Sequence, residues 1–161
     1  MTAATPLPSP ALKLEYAFSA TVHVANPIEV GQVPAGRRRF IPITGGDVQG
    51  PLLNARVLPG SGDWQVVRSD GVISLGARYV LETPDGTRIA VDNRGLRHGA
   101  PEVMARLSRG EPVAPTEYYF RTAAEFEAPV ASPYAWLNNT LFVATAERGS
   151  DVVRVHFFRV L

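Results

Sequence analysis

The chain reads as an all-β protein: a single antiparallel β-barrel of about 8–10 strands with one short helix near residues 101–109. Three observations predict it. Residues 11–24 alternate in period two, with Leu12, Leu14, Tyr16, Phe18, Ala20 and Val22 on one face and Lys13, Glu15, Ser19, Thr21 and His23 on the other. Leu75 to Asn93 sorts its charged and apolar residues onto two faces once a single turn is placed. Glycine- and proline-centred turn signals recur about every 8 to 12 residues, the rhythm of barrels and sandwiches.

The hairpin carries the strongest signal. Thr83-Pro84-Asp85-Gly86-Thr87 fits a type I turn closed by a left-handed glycine, because proline presets the first corner and Gly86 takes positive φ without strain. The turn fixes the register. Glu82 then faces Arg88 and Arg78 faces Asp92 on one side, while Leu81 faces Ile89, Tyr79 faces Val91 and Ala77 faces Asn93 on the other. Tyr79 and Asn93 are the polar groups this hairpin turns inward.

The remaining elements follow in order. Residues 1–10, rich in proline and small polar residues, are expected to be a disordered lead-in to a barrel domain over residues 11–161. Asn26-Pro27 and the Gly31 to Gly36 region punctuate the chain. Arg38 to Thr44 reads as a strand that Pro42 limits to an edge or bulge. The glycine-dense segment Gly45 to Pro51 lacks the lysine and hydroxyl of a phosphate loop. Leu52 to Leu58, Trp64 to Arg68 and Val72 to Leu75 form a meander around glycine turns. Pro101 to Arg109 is the helix, with proline in its first turn, Val103, Met104 and Leu107 on one face and Gly110 as its stop. Strands resume at residues 117–122, 135–145 and 152–161. A barrel is preferred to an open sheet because closure removes long unpaired edges.

Composition excludes several function classes. With 16 basic against 15 acidic residues the net charge is +1, which argues against a nucleic-acid partner. The cluster Arg37-Arg38-Arg39 reads as a solvated strand edge or loop. Without cysteine there are no disulfides, thiolate nucleophiles or cysteine metal sites. His23, His98 and His156 stand alone on separate segments, so no metal site is expected, and no cofactor is implied. The amino terminus lacks the basic and apolar regions of a secretory signal, and no window nears the roughly 20 apolar residues of a membrane helix. A cytoplasmic location without membrane association is therefore expected.

From Gly45 to Gly95 the ordered motifs GG, GPL, VLPG, DW, DG, ARY, a second DG and NRG resemble those of the bacterial and fungal family known as domain of unknown function 3237. The segments EYYFRTAAEFE and SPYAWLNNTLF resemble it as well. The resemblance runs from about Leu14 to Leu161. It implies a lipocalin-like β-barrel, and a homodimer, since members often associate in pairs. It implies no reaction.

The candidate chemistry lies in a few side chains. Asp63 follows a glycine turn, where it either accepts backbone hydrogen bonds or acts at the barrel mouth as a general base, with Trp64 beside it as a wall. Arg121 is paired with a protein acid, waits for an anionic ligand, or lies outside. Trp136 and Asn138, read on one strand, combine an indole with an amide as small-molecule cavities do; alternatively the amide holds a neighbouring loop. The expected function is binding of a small, partly apolar organic molecule carrying hydroxyl or carboxylate groups, with Trp64, Tyr79, Asn93, Trp136 and Asn138 lining the site and Asp63 and Arg121 as its charged members. Two alternatives stand beside it. One is a cofactor-independent isomerase, cyclase or lyase with Asp63 as general base; the other is a structural homodimer with a plugged interior.

Overall fold

The computed structural model describes residues 9–161. Residues 1–8 of the expected lead-in lie outside the described residues, and 9–13 have no regular structure. The strands are β1 (Leu14–Val24), β2 (Ile28–Val33), β3 (Gly36–Gln49), β4 (Ala55–Val57), β5 (Ser61–Val67), β6 (Ile73–Glu82), β7 (Arg88–Gly99), β8 (Tyr118–Glu127), β9 (Phe142–Arg148) and β10 (Val152–Val160). Helix α1 (Pro101–Ser108) joins β7 to β8. Pairing runs β1-β10-β9-β8-β7-β6, then through β4 and β5 to β3, and β3 returns to β1. β4 and β5 occupy one stave in succession, so eight antiparallel staves close the barrel, and β2 is an outer flap on β3.

Closure depends on a bend in β3. Its first half pairs with β2 and β5, its second with β1 and β4. Gly45 and Gly46 sit at the changeover with φ near 150° and 144°, and a Cβ on Gly46 would run into the Thr21 carbonyl oxygen. These two glycines, just past the expected strand end at Thr44, are thus the barrel corner, where only a residue without a side chain lets β1 approach. Pro42 stands inside β3, between its last pair with β2 and its first with β1, where no neighbour on that side asks for a donor.

The β6–β7 hairpin has the expected register, from Glu82 opposite Arg88 to Ala77 opposite Asn93, with Gly86 at φ 83°. The period-two reading of β1 needs correction. A bulge between Tyr16 and Phe18 reverses its phase: Leu14 and Tyr16 face out, while Phe18, Ala20 and Val22 face in. The expected strand over 135–145 also divides, because Ala135–Asn139 is a 3₁₀ turn and β9 begins only at Phe142.

The interior has two unlike ends. At one, Phe18, Phe126, Phe142 and Phe157 pack ring against ring, with Phe126 and Phe142 centroids 4.9 Å apart and Phe18 and Phe157 5.2 Å apart. Leu81, Ile89 and Leu137 fill the space around them, with Leu137 supplied by the 3₁₀ turn. Each buried phenylalanine contributes roughly 1.5–3 kcal/mol. At the other end, where β7 passes into α1, the strands turn polar side chains inward.

Candidate functional site

Strict alternation builds the polar end. β7 buries Ile89, Val91, Asn93 and Arg97 in phase, so the strand that supplies core at one end of the barrel supplies an amide and a guanidinium at the other. β5 turns in Asp63 and Gln65, β6 Tyr79, β8 Thr122 and β9 Arg148. The rest of the wall is apolar, including Val22, Ile43, Leu75, Phe120 and Val155. The free volume is about 40 Å³, and about 530 Å³ with the space out to the open mouth counted. Pockets for drug-sized molecules measure about 300–1,000 Å³, so the enclosed part of this chamber has room for a few waters, and an organic guest has to extend into the space toward the mouth.

Asp63 has uncharged direct partners. The Gly76 amide donates to Oδ1 at 3.1 Å and Gln65 Nε2 to Oδ2 at 2.7 Å, while Arg39 Nε donates to Gln65 Oε1 at 2.9 Å. Arg39 thus points inward and is tied to Asp63 through an amide, which corrects the solvated reading of that residue. Burial raises the Asp63 carboxyl above its ordinary value, and these hydrogen bonds with the Arg97 and Arg39 charges only partly oppose it. Burial, with the Asp63 charge adding, also pushes the Tyr79 hydroxyl up.

The two other guanidiniums have no acceptor among the described residues. Arg97, 5% exposed, lies over the Phe120 ring at 5.3 Å, and Arg148 stands on the inner face of β9. Burial, aided by Arg148 and Arg39, lowers Arg97 to about 10, and burial lowers Arg148 too. Four buried atoms in this one lining lack a protein hydrogen-bond partner: Asn93 Oδ1, Arg97 Nε, Thr122 Oγ1 and Arg148 Nη1. Among the described residues the only other such atom is Arg159 Nε.

Of the expected site residues, Asp63, Tyr79 and Asn93 meet in the chamber. The others do not. Trp64 is 51% exposed and packs outside on Phe40, because neighbours in a strand face opposite ways and Asp63 has the inward place. Arg121 lies outside by the same rule, over the Tyr119 ring and bonded to the Phe120 carbonyl. Trp136 packs on Phe142 at the phenylalanine end. Asn138 accepts from the Ala128 amide at 2.7 Å and donates to the Ala128 carbonyl at 2.9 Å, clamping the end of β8.

Arg97, Arg148, Gln65 and Thr122 were missed. Arg97 was within reach of the sequence: it lies two inward steps beyond Asn93, past Gly95. Arg148 lies past the expected strand end at residue 145, although Phe142, Ala144, Ala146 and Arg148 keep one phase. A second polar chain runs outside the barrel, where Ser19 Oγ meets Tyr16 OH at 2.8 Å and His156 Nδ1 at 2.7 Å, and His156 Nε2 meets Glu147 Oε1 at 3.1 Å. The order suggests a serine–histidine–acid relay, yet Ser19 is mid-strand between β10 and β3, whose ladders leave no amides to hold an oxyanion.

These features define a closed antiparallel barrel, plugged with phenylalanine at one end and holding an arginine- and aspartate-lined chamber at the other. The chain belongs to the family described as protein of unknown function (DUF3237), whose model matches residues 12–160. It is similar to UPF0311 protein RPA1785 of Rhodopseudomonas palustris, 40% identical over 95% of this chain and 99% of that one. The crystal structure of RPA1785 superposes with a TM-score of 0.90 over 95% of this chain and all of that one. A beta-barrel like protein of Acinetobacter baumannii, ABAYE2633, is 38% identical with a TM-score of 0.82, covering 97% of this chain and 100% of that one. An enzyme of Penicillium herquei shares the fold at 22% identity and a TM-score of 0.71, over 98% of this chain and 100% of that one. Among the described residues no helix is long and apolar enough to cross a membrane.

Proposed function

We propose that the protein binds a small, partly apolar organic molecule in the polar end of its barrel. The observation that carries this reading is the convergence on one chamber of four buried, unpartnered polar atoms, on Asn93, Arg97, Thr122 and Arg148. An unsatisfied buried polar group costs about 1–3 kcal/mol, and such groups gather where a ligand completes them. A screen for compounds that raise the melting temperature tests it, since a ligand specific for the folded state stabilises by mass action. Hits whose effect persists in an Asn93→Leu, Thr122→Val double variant would contradict the assignment to this chamber.

A second reading, a cofactor-independent proton-transfer enzyme, is favoured by one observation: Asp63 faces the chamber with its carboxyl raised by burial and with amides as its direct partners. A carboxyl raised by burial holds its proton more tightly than a solvated one and so can serve as the acid or base of a proton transfer. Arg121 has no part in it from outside; Arg97 and Arg148 are the cations in reach of the chamber. On this reading Asp63→Asn abolishes turnover of any substrate found while the fold is kept, and unchanged turnover removes Asp63 from the role.

The pairing of copies is part of the proposal. A groove on the outer face, bounded by exposed Leu14, Leu96, Tyr119 and Val143, supports it. Light scattering reads the mass directly, and a strictly monomeric protein would contradict it.

A further inference from the structure

We infer that the ligand carries a carboxylate, and that Arg97 and Arg148 are the residues that receive it. The inference rests on the binding reading above and adds the charge and orientation of the bound molecule. Three guanidiniums, Arg39, Arg97 and Arg148, stand at this end of the barrel against Asp63, the one carboxylate in the chamber lining, while Asp151 acts on Arg148 and Glu29 on Arg39 from outside that lining. Arg39 is engaged by Gln65. Arg97 and Arg148 are left with buried nitrogens and no acceptor among the described residues. A guanidinium buried for structure alone is normally met by a carboxylate or by several carbonyls, because an uncompensated buried charge is strongly unfavourable. Here Arg97 has the Phe120 ring face, and both arginines have the Asp63 charge without a hydrogen bond to it, so the buried in-plane donors stay unused.

A carboxylate fits those donors because its two oxygens match the planar fork of a guanidinium. The remaining wall indicates the rest of the ligand. Ile43, Leu75 and Val155 offer apolar contact, whereas a phosphate would bring more charge and no apolar surface. Asn93 Oδ1 accepts, and Thr122 Oγ1 donates or accepts, so a hydroxyl on the ligand finds partners. The molecule so described is a small monocarboxylate with a short aliphatic or single-ring body.

Matched acid and amide pairs test this: butyrate with butyramide and benzoate with benzamide, titrated by calorimetry at constant ionic strength into the wild type, Arg97→Met and Arg148→Met. The expected result is that at least one acid binds about tenfold or more tightly than its amide, and that this preference disappears in either variant. The second variant covers a first that fails to fold. Equal binding of acid and amide would overturn the carboxylate inference and leave the binding reading standing. No binding by any member of the panel would overturn the inference, and a failed wider melting-temperature screen would remove the binding reading too. A preference that survives in both folded variants would move the anion to another surface.

Discussion

The two ends of this barrel are built from the same staves and differ only in what the pleat turns inward. On β7, Ile89 and Val91 fill one end while Asn93 and Arg97 line the other; on β8, Phe126 stands against Thr122. The phenylalanine end packs ring against ring, and the single unpartnered buried atom near it, Arg159 Nε, belongs to a side chain that lies over Trp136 and pairs with Glu15. The arginine end leaves four such atoms within one small volume. Local violations of this kind are tolerated when the rest of the fold supplies stability and the site serves something else.

That contrast can be broken by substitution. Phe18→Ala removes a fully buried ring from the plug and should cost about 3–5 kcal/mol, read by urea unfolding; a cost under about 1 kcal/mol would mean that the plug is not the stabilising end. Arg97→Met should act in the opposite direction, gaining about 1–3 kcal/mol or leaving stability unchanged, because it replaces an unpartnered buried cation by an apolar chain. A large loss there would mark Arg97 as structural. Asn138→Ala forfeits both hydrogen bonds to Ala128 and should cost about 1–2 kcal/mol while ligand binding stays intact.

Asp63→Asn sharpens the comparison through pH. Because burial raises the folded-state pKa, the folded protein holds its proton above the ordinary value of 3.8, where the unfolded chain has released it. This carboxyl's contribution to stability is therefore full below 3.8 and declines as pH rises through the raised value. Asp92 and Glu82, held low by arginine partners, contribute with the opposite slope. The difference between wild type and Asp63→Asn should consequently grow in favour of the variant toward neutral pH, and a difference independent of pH would contradict the raised value. The smallest effect belongs to Arg121→Ala, within about 0.5 kcal/mol and without influence on the chamber.

What was legible in the sequence follows the same division. The hairpin was readable to the residue because a proline–glycine turn sets register and register sets faces, which placed Tyr79 and Asn93 inside. Alternation also excluded Asp63 and Trp64 from one wall, a conflict visible in two adjacent letters. Other features lie beyond period two. The bulge in β1 reverses its phase without a glycine to announce it. The Asn138 amide copies a ladder partner for Ala128, so 3₁₀ backbone stands where apolar content suggested strand. Arg148 closes a strand whose end the glycine and aspartate after it made to look like a turn.

The most direct test of the central claim is a crystal structure of the wild type grown with benzoate or butyrate. The account predicts the carboxylate in the polar end, with its oxygens about 2.7–2.9 Å from nitrogens of Arg97 and Arg148 and its body against the apolar wall. Density showing only water there, with both guanidiniums turned to acceptors within the protein, would contradict it.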